Sequence, residues 1–188
     1  WIALLDAKKL VAEKQSQPKF EQIILQRLLG YSLYDYTPEV DGIDYVAKIP
    51  SSDKTICIEV KGQDQGLQDY QDRDTKNKQT PLAQTWTYVG YGHDYGVCSN
   101  FKEFILLTSA GTKIFYKFNF LSIKLSEDRL DENKLKEFVG IFSKEEIFTN
   151  NSVENLVKES QLAQQEFTDE FYKLFHETRL MLIREFET

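Results

Sequence analysis

No apolar run in this 188-residue chain approaches the roughly 20 residues needed to cross a bilayer, so the sequence offers no membrane span. A basic leader followed by an apolar segment is also missing. The chain opens Trp1-Ile2-Ala3 without an initiator Met, and a trimmed piece of a longer protein is the expectation. Cysteine is scarce: Cys57 and Cys98 lie far apart and neither belongs to a CxxC pair. That argues against a zinc site or a disulfide framework and points to a reducing, cytoplasmic setting. Basic residues are in deficit, 23 against 30 acids, for a net charge of −7. Such a balance runs against a free-standing DNA binder, whose affinity comes largely from neutralising phosphates. It leaves a nuclease open, because metal-binding carboxylates add negative charge and another domain can supply the grip on DNA. Repeats and low-complexity stretches are absent as well.

Aromatic residues are plentiful, 13 Phe and 10 Tyr within a chain that is 41% apolar, enough to build a core whose burial offsets chain entropy. Length and composition suit one domain, residues 1–150, with a helical connector over residues 151–188. The spacing predicts a helix over residues 2 to 16, ending before Pro18. A second helix carries Phe20, Ile23, Ile24, Leu28 and Leu29 and stops at Gly30. Residues 31–36 are aromatic and extended. Residues 43–49 and 55–61 are β-rich and joined by turn chemistry at 50–54, which reads as a hairpin. Residues 63–80 read as a polar, solvated loop. Pro81 is placed as the first residue of a helix reaching Val89. Strands follow at 95–99, 103–108 and 113–118, the last two turning through 109–112. From Asp131 onward the pattern is helical, with Ser143-Lys-Glu-Glu146 resembling a capping box and a long amphipathic helix after Asn151. The fold class is therefore α/β: a mixed sheet flanked by helices, with a C-terminal helical extension.

Alternation along a strand puts Glu59 and Lys61 on one face about 7 Å apart, with Cys57 beside them and Ile58 and Val60 opposite. Alone, such a triplet is a solvated strand edge. Pairing through the 50–54 turn brings Asp44 close to Glu59, however. Two carboxylates and a backbone carbonyl suit a hard ion such as Mg2+, with Mn2+ as substitute. Lys61 then orients a water and neutralises charge building on phosphorus.

Asp44 with Glu59-Val60-Lys61 resembles the PD-(D/E)XK nucleases. Gln84-x-x-x-Tyr88 on the next helix is similar to the QxxxY motif of restriction enzymes and recombination exonucleases in that superfamily. Glu21 falls on the helix before the core, where the family often carries an extra acid near the metal. Residues 95–108 and 141–148 are similar to passages of type I and type IIG restriction subunits, and the likeness runs from about residue 20 to residue 182. It implies a restriction-endonuclease-like fold and a bacterial or archaeal Mg2+-dependent endonuclease domain acting on double-stranded DNA. Methyltransferase and target-recognition domains would follow it, and cutting both strands implies transient self-association. Under it Asp44, Glu59 and Glu21 are metal ligands, and Asp44, Glu59, Lys61 and Gln84 are catalytic. Tyr88, Arg73, Lys76 and Lys78 are candidate DNA contacts. Ile43 in place of the usual proline leaves Asp41 as a rival to Asp44. A stand-alone repair or recombination nuclease and a non-catalytic scaffold are the alternatives. Trp86 and the tyrosines at 31, 34, 36 and 45 default to core packing, His93 to a turn and His176 to a structural helix position.

Overall fold

The computed structural model describes residues 1–71, 79–109, 114–126 and 129–186. The candidate DNA contacts Arg73, Lys76 and Lys78 lie outside the described residues, as does most of the 109–112 turn. The chain divides into two units, Trp1–Ser152 and Val153–Thr188.

The first unit is built on one six-stranded mixed sheet whose strands lie in chain order. They are β1 Tyr36–Val40, β2 Ile43–Ala47, β3 Ile56–Val60, β4 Tyr95–Ser99, β5 Glu103–Thr108 and β6 Ile114–Asn119. All neighbours run antiparallel except β3 and β4. Asp41 and Gly42 join β1 to β2 with φ of 51° and 83°. Two positive φ values in a two-residue loop are what a tight hairpin following the sheet's twist requires. Pro38 is tolerated in β1 because that strand is the sheet edge, where a missing N–H breaks no shared ladder. The parallel pair needs a crossover, and helix α3, Pro81–Gly90, supplies it. Pro81 takes the first helical position, as its fixed φ favours, and the Ala83 N–H donates to Thr80 Oγ1 at 3.1 Å.

Both faces of the sheet are covered. On one, α3 packs Val89 against Cys57, Cys98, Ile105 and Leu107, with Trp86 and Tyr88 half-buried alongside. On the other lies an aromatic cluster centred on Phe104, whose ring lies 5.1 Å from Phe138, 5.5 Å from Phe120 and 5.9 Å from Phe20. Helix α4, Glu132–Phe142, brings Phe138 and Phe142 to it, and Asp131 caps that helix through the Asn133 and Lys134 N–H groups. The expected mixed α/β class is thus what the structure shows.

Several local expectations give way. The helix expected over residues 2–16 is two pieces, α1 Ile2–Asp6 and α2 Glu13–Lys19, broken where Lys8 takes φ of 49°. Pro18 lies inside α2 rather than beyond its end. The helix then changes to wider π winding over Phe20–Leu28, the kind of shift that absorbs a lost i→i−4 bond. Ser143 does precede helix α5, Lys144–Phe148, but it makes no side-chain cap. Its backbone N–H already donates to Val139 O at 3.0 Å, so the reciprocal half of a capping box has no donor to meet. The stretch expected as a solvated loop is packed at three points, Gln63, Leu67 and Gln71, while Asp64, Gln68, Asp69 and Tyr70 are exposed. Leu67 draws in because it joins the α3-side core and its carbonyl accepts from Leu82 N at 3.0 Å.

The second unit is the long helix α6, Ser152–Phe186, taken from Val153 onward. Phe167, Phe171, Leu174 and Phe175 form an apolar stripe at helical spacing and are more than half exposed. His176 is exposed as well, not packed as expected among them. Among the described residues no helix is long and apolar enough to cross a membrane.

Phe104 is central to the aromatic cluster and fully buried, so Phe104→Ala should cost about 3–5 kcal/mol through lost burial and the remaining cavity. Urea denaturation measures this, and a loss below about 1 kcal/mol would contradict the packing described.

Candidate active site

Strand β3 is buried along its whole length, so its charged residues are not on a solvated edge. Glu59 and Lys61 are 2% and 5% exposed, a burial that ionic side chains reach only when paired. The Lys61 ammonium donates to Glu59 Oε1 at 2.5 Å and to the Val60 carbonyl oxygen at 2.9 Å. It also lies 3.8 Å from Asp44 Oδ2 and 3.5 Å from Glu13 Oε2. Three carboxylates and one carbonyl therefore converge on a single cation.

Each group is placed by a specific device. Tyr45 and Ile58 are the last paired residues of the β2–β3 ladder, leaving Asp44 and Glu59 next on their strands. Asp44 then continues the pairing with its side chain: Oδ2 accepts from Val60 N at 2.8 Å, and Oδ1 accepts from Gln17 Nε2 at 3.1 Å. Asp41, the rival for this role, is exposed in the β1–β2 turn.

Glu13 is the acid that α2 contributes, and it was not singled out from sequence. Gly62 is what allows it close. A Cβ there would fall 1.9 Å from the Val11 carbonyl oxygen, so only glycine lets the segment before α2 lie against the end of β3. Gln63 fastens that segment further. Its N–H donates to Leu10 O at 2.9 Å, its Oε1 accepts from Leu10 N at 3.1 Å, and its Nε2 donates to Leu5 O at 3.1 Å. No sequence signal marked Glu13: the helix expected over residues 2–16 put it in a last turn, whereas the structure puts it in the first turn of α2.

Glu21 is not brought to this cluster. Its carboxylate accepts from the Tyr36 and Tyr45 hydroxyls at 3.3 and 3.2 Å. Gln84 and Tyr88 do share a helix face: Gln84 Nε2 donates to the Tyr88 hydroxyl at 2.5 Å, which donates to Gly42 O at 2.9 Å. Gly42 lies two residues before Asp44, so this chain ties α3 to the strand carrying the first carboxylate. Of the tyrosines weighed from sequence, those at 31, 36 and 45 are buried and Tyr34 is exposed. His93 contacts Thr55 Oγ1 at 3.3 Å and takes no part in the cluster.

The electrostatics follow from burial. Burial pushes the Glu59 carboxyl up to about 7; Lys61 pulls the other way, while Asp44 and Glu13 add to the rise. Burial also works against the Lys61 ammonium, but Glu59, Asp44 and Glu13 outweigh it and raise its pKa. Glu59 Oε2 is buried with no hydrogen-bond partner, an acceptor left over after Lys61 has taken Oε1. Among the described residues no three or more acidic, His or Cys side chains form a ready metal cage. The carboxylates instead gather on the ammonium, an all-oxygen donor set of the kind a hard divalent cation takes. A cleft of about 470 Å³ opens beside Lys61, lined by Val11, Glu13, Gly62, Asp64, Gln65 and Gln71. A separate, more apolar cleft of about 570 Å³, lined by Trp1, Ile24, Phe120 and Leu135, lacks converging carboxylates; its Asp6 pairs with Lys124.

Comparison of the chain with protein-family models, with curated proteins and with solved structures found no match.

The folded state holds the Glu59 proton more tightly than the unfolded chain does, about 7 against 4.5. Below the lower value both states are protonated, so ionising Glu59 costs stability as pH rises through that window. Thermal melting in EDTA between pH 4.5 and 8 should show wild type losing ground to Glu59→Gln. Parallel curves would contradict the burial described.

Proposed function

We propose that this chain is a metal-dependent DNA endonuclease domain of the PD-(D/E)XK type, the nuclease part of a type IIG-like restriction–modification protein. The observation that carries the reading is the convergence of Glu13, Asp44, Glu59 and the Val60 carbonyl on one buried cation position. Those groups would hold Mg2+, or Mn2+ in its place, and the unpartnered Glu59 Oε2 is a donor atom in need of a cation. The ion supplies Lewis acidity toward a phosphate oxygen and a lowered pKa for bound water.

The chain's own residues do the rest. The ammonium of Lys61 orients the attacking water and neutralises charge developing on the phosphoryl oxygens. Asp44 is fixed by Val60 N and Gln17, so its carboxylate is held beside Lys61 for the ion. Gln84 has an N–H beyond the one given to Tyr88, suited to a phosphate oxygen. Glu13 takes the role that the resemblance laid on Glu21, since it is the helix acid beside Lys61. The substrate is double-stranded DNA, gripped with help from target-recognition and methyltransferase domains, because a net charge of −7 gives this chain little phosphate attraction of its own. A bacterial or archaeal cytoplasm is the setting, and cutting both strands calls for two copies acting together.

With plasmid DNA and Mg2+, Asp44→Ala, Glu59→Ala and Lys61→Ala should each lower nicking by about 100-fold or more. Wild-type rates in all three would sink the reading. The helix acid is tested separately. Glu13→Gln should weaken both Mn2+ binding, read by calorimetry, and cleavage, whereas Glu21→Gln should leave both within about threefold. The reverse pattern would return the role to Glu21.

A further inference from the structure

Beyond Glu59, Lys61 and their partners, one buried polar side chain faces the same cleft without a role in the chemistry above. Gln71 is 7% exposed, and its backbone N–H donates to Gln79 O at 3.4 Å. Its side chain reaches across to α3, where Nε2 donates to Gln84 Oε1 at 3.0 Å.

That contact matters because a glutamine amide has two unlike ends. Its oxygen only accepts and its nitrogen only donates, and half a turn about the last bond exchanges them. At the far end of the relay, the Tyr88 hydroxyl spends its single proton on Gly42 O, so toward Gln84 it can only accept. Gln84 must therefore present Nε2 to Tyr88, as it does at 2.5 Å. Gln71 supports the same orientation from the other side, since its Nε2 donates to Oε1 there. Reversal of the Gln84 amide would set donor against donor at Gln71 and acceptor against acceptor at Tyr88. Gln84 and Tyr88 are half-buried, so both mismatches would have to be met by water in place of two made bonds. The relay lies within the field of the site, for the charges of Glu59, Lys61 and Asp44 all act on the Tyr88 hydroxyl. Gln71 itself lines the cleft beside Lys61.

We propose that Gln71 is a positioning residue that locks the Gln84 amide in the orientation keeping its second N–H available to a non-bridging oxygen of a DNA phosphate. The inference rests on the nuclease reading for what the N–H binds, and on hydrogen-bond logic alone for the lock. Gln71 differs in this from a residue that merely closes its loop, since the loop contact runs through its backbone and the lock through its side chain.

The test separates the two layers. Protein labelled with 13C at the tyrosine ζ carbon reports the hydrogen bonding of each phenol, and Tyr88→Phe identifies the Tyr88 signal. Gln71→Glu keeps shape but removes the donor at neutral pH, and Gln71→Leu removes hydrogen bonding altogether. Both should shift the Tyr88 signal and lower the nicking rate by up to about tenfold, the worth of one hydrogen bond. Adding Gln71→Leu to Gln84→Leu should cost nothing further, because the lock then has nothing to hold. An unmoved Tyr88 signal in both single variants, or additive losses in the double variant, overturns the proposal. If wild type fails to nick DNA at all, the nuclease reading falls, and the Tyr88 signal still decides the lock.

Discussion

One ammonium shared among three carboxylates is the constraint that the elements around the end of β3 meet. Lys61 is buried at the end of a central strand, where an unpaired charge would cost several kcal/mol. Glu59, Asp44 and Glu13 offset that cost, yet they overshoot it: with all four groups ionised, three negative charges meet one positive. The imbalance shows in Glu59, whose carboxyl is driven up to about 7, and in its Oε2, which is buried without a partner. With those four groups ionised the cluster is short of positive charge by two, and its donors are all oxygen, the set that we propose a divalent cation takes.

The fold serves to hold those groups where they are. Covering β3 on both faces excludes water from Glu59 and Lys61, which strengthens every interaction among them. Antiparallel pairing with β2 carries Asp44 into place, and the parallel crossover to β4 sets α3, with Gln84 and Tyr88, against the same sheet face. Just past β3, Gly62 lies under the Val11 carbonyl, and Gln63 binds the segment leading to Glu13 from three of its atoms. The aromatic cluster on the opposite face supplies the burial that keeps this sheet rigid, and it has no contact with the chemistry itself.

Much of this was legible in the sequence because it is local or periodic. A period of two put Glu59 and Lys61 on one face, turn residues at 50–54 paired β2 with β3, and Pro81 marked the start of α3. What escaped was set by contacts remote in sequence. Glu13 and Glu21 are eight residues apart on neighbouring helical stretches, and nothing in their local sequence ranks them. The choice is made by Gly62 and Gln63, some fifty residues away, which dock the start of α2 against the end of β3. Ser143 misled for a similar reason: its side chain suits a cap, but its N–H was already committed to the preceding helix. Leu67 and Gln71 looked like loop residues because their partners, Leu82 and Gln84, lie beyond the polar stretch that follows them.

If the oxygen donors around Lys61 are set for a divalent ion, as proposed, the ammonium draws on the same donors and repels that ion. Calorimetric titration of Mn2+ into wild type and Lys61→Met tests this without reference to cleavage. Removing the competing charge while keeping the length of the side chain should tighten Mn2+ binding, by about tenfold for each 1.4 kcal/mol of relieved repulsion. Equal or weaker binding by Lys61→Met would contradict the account.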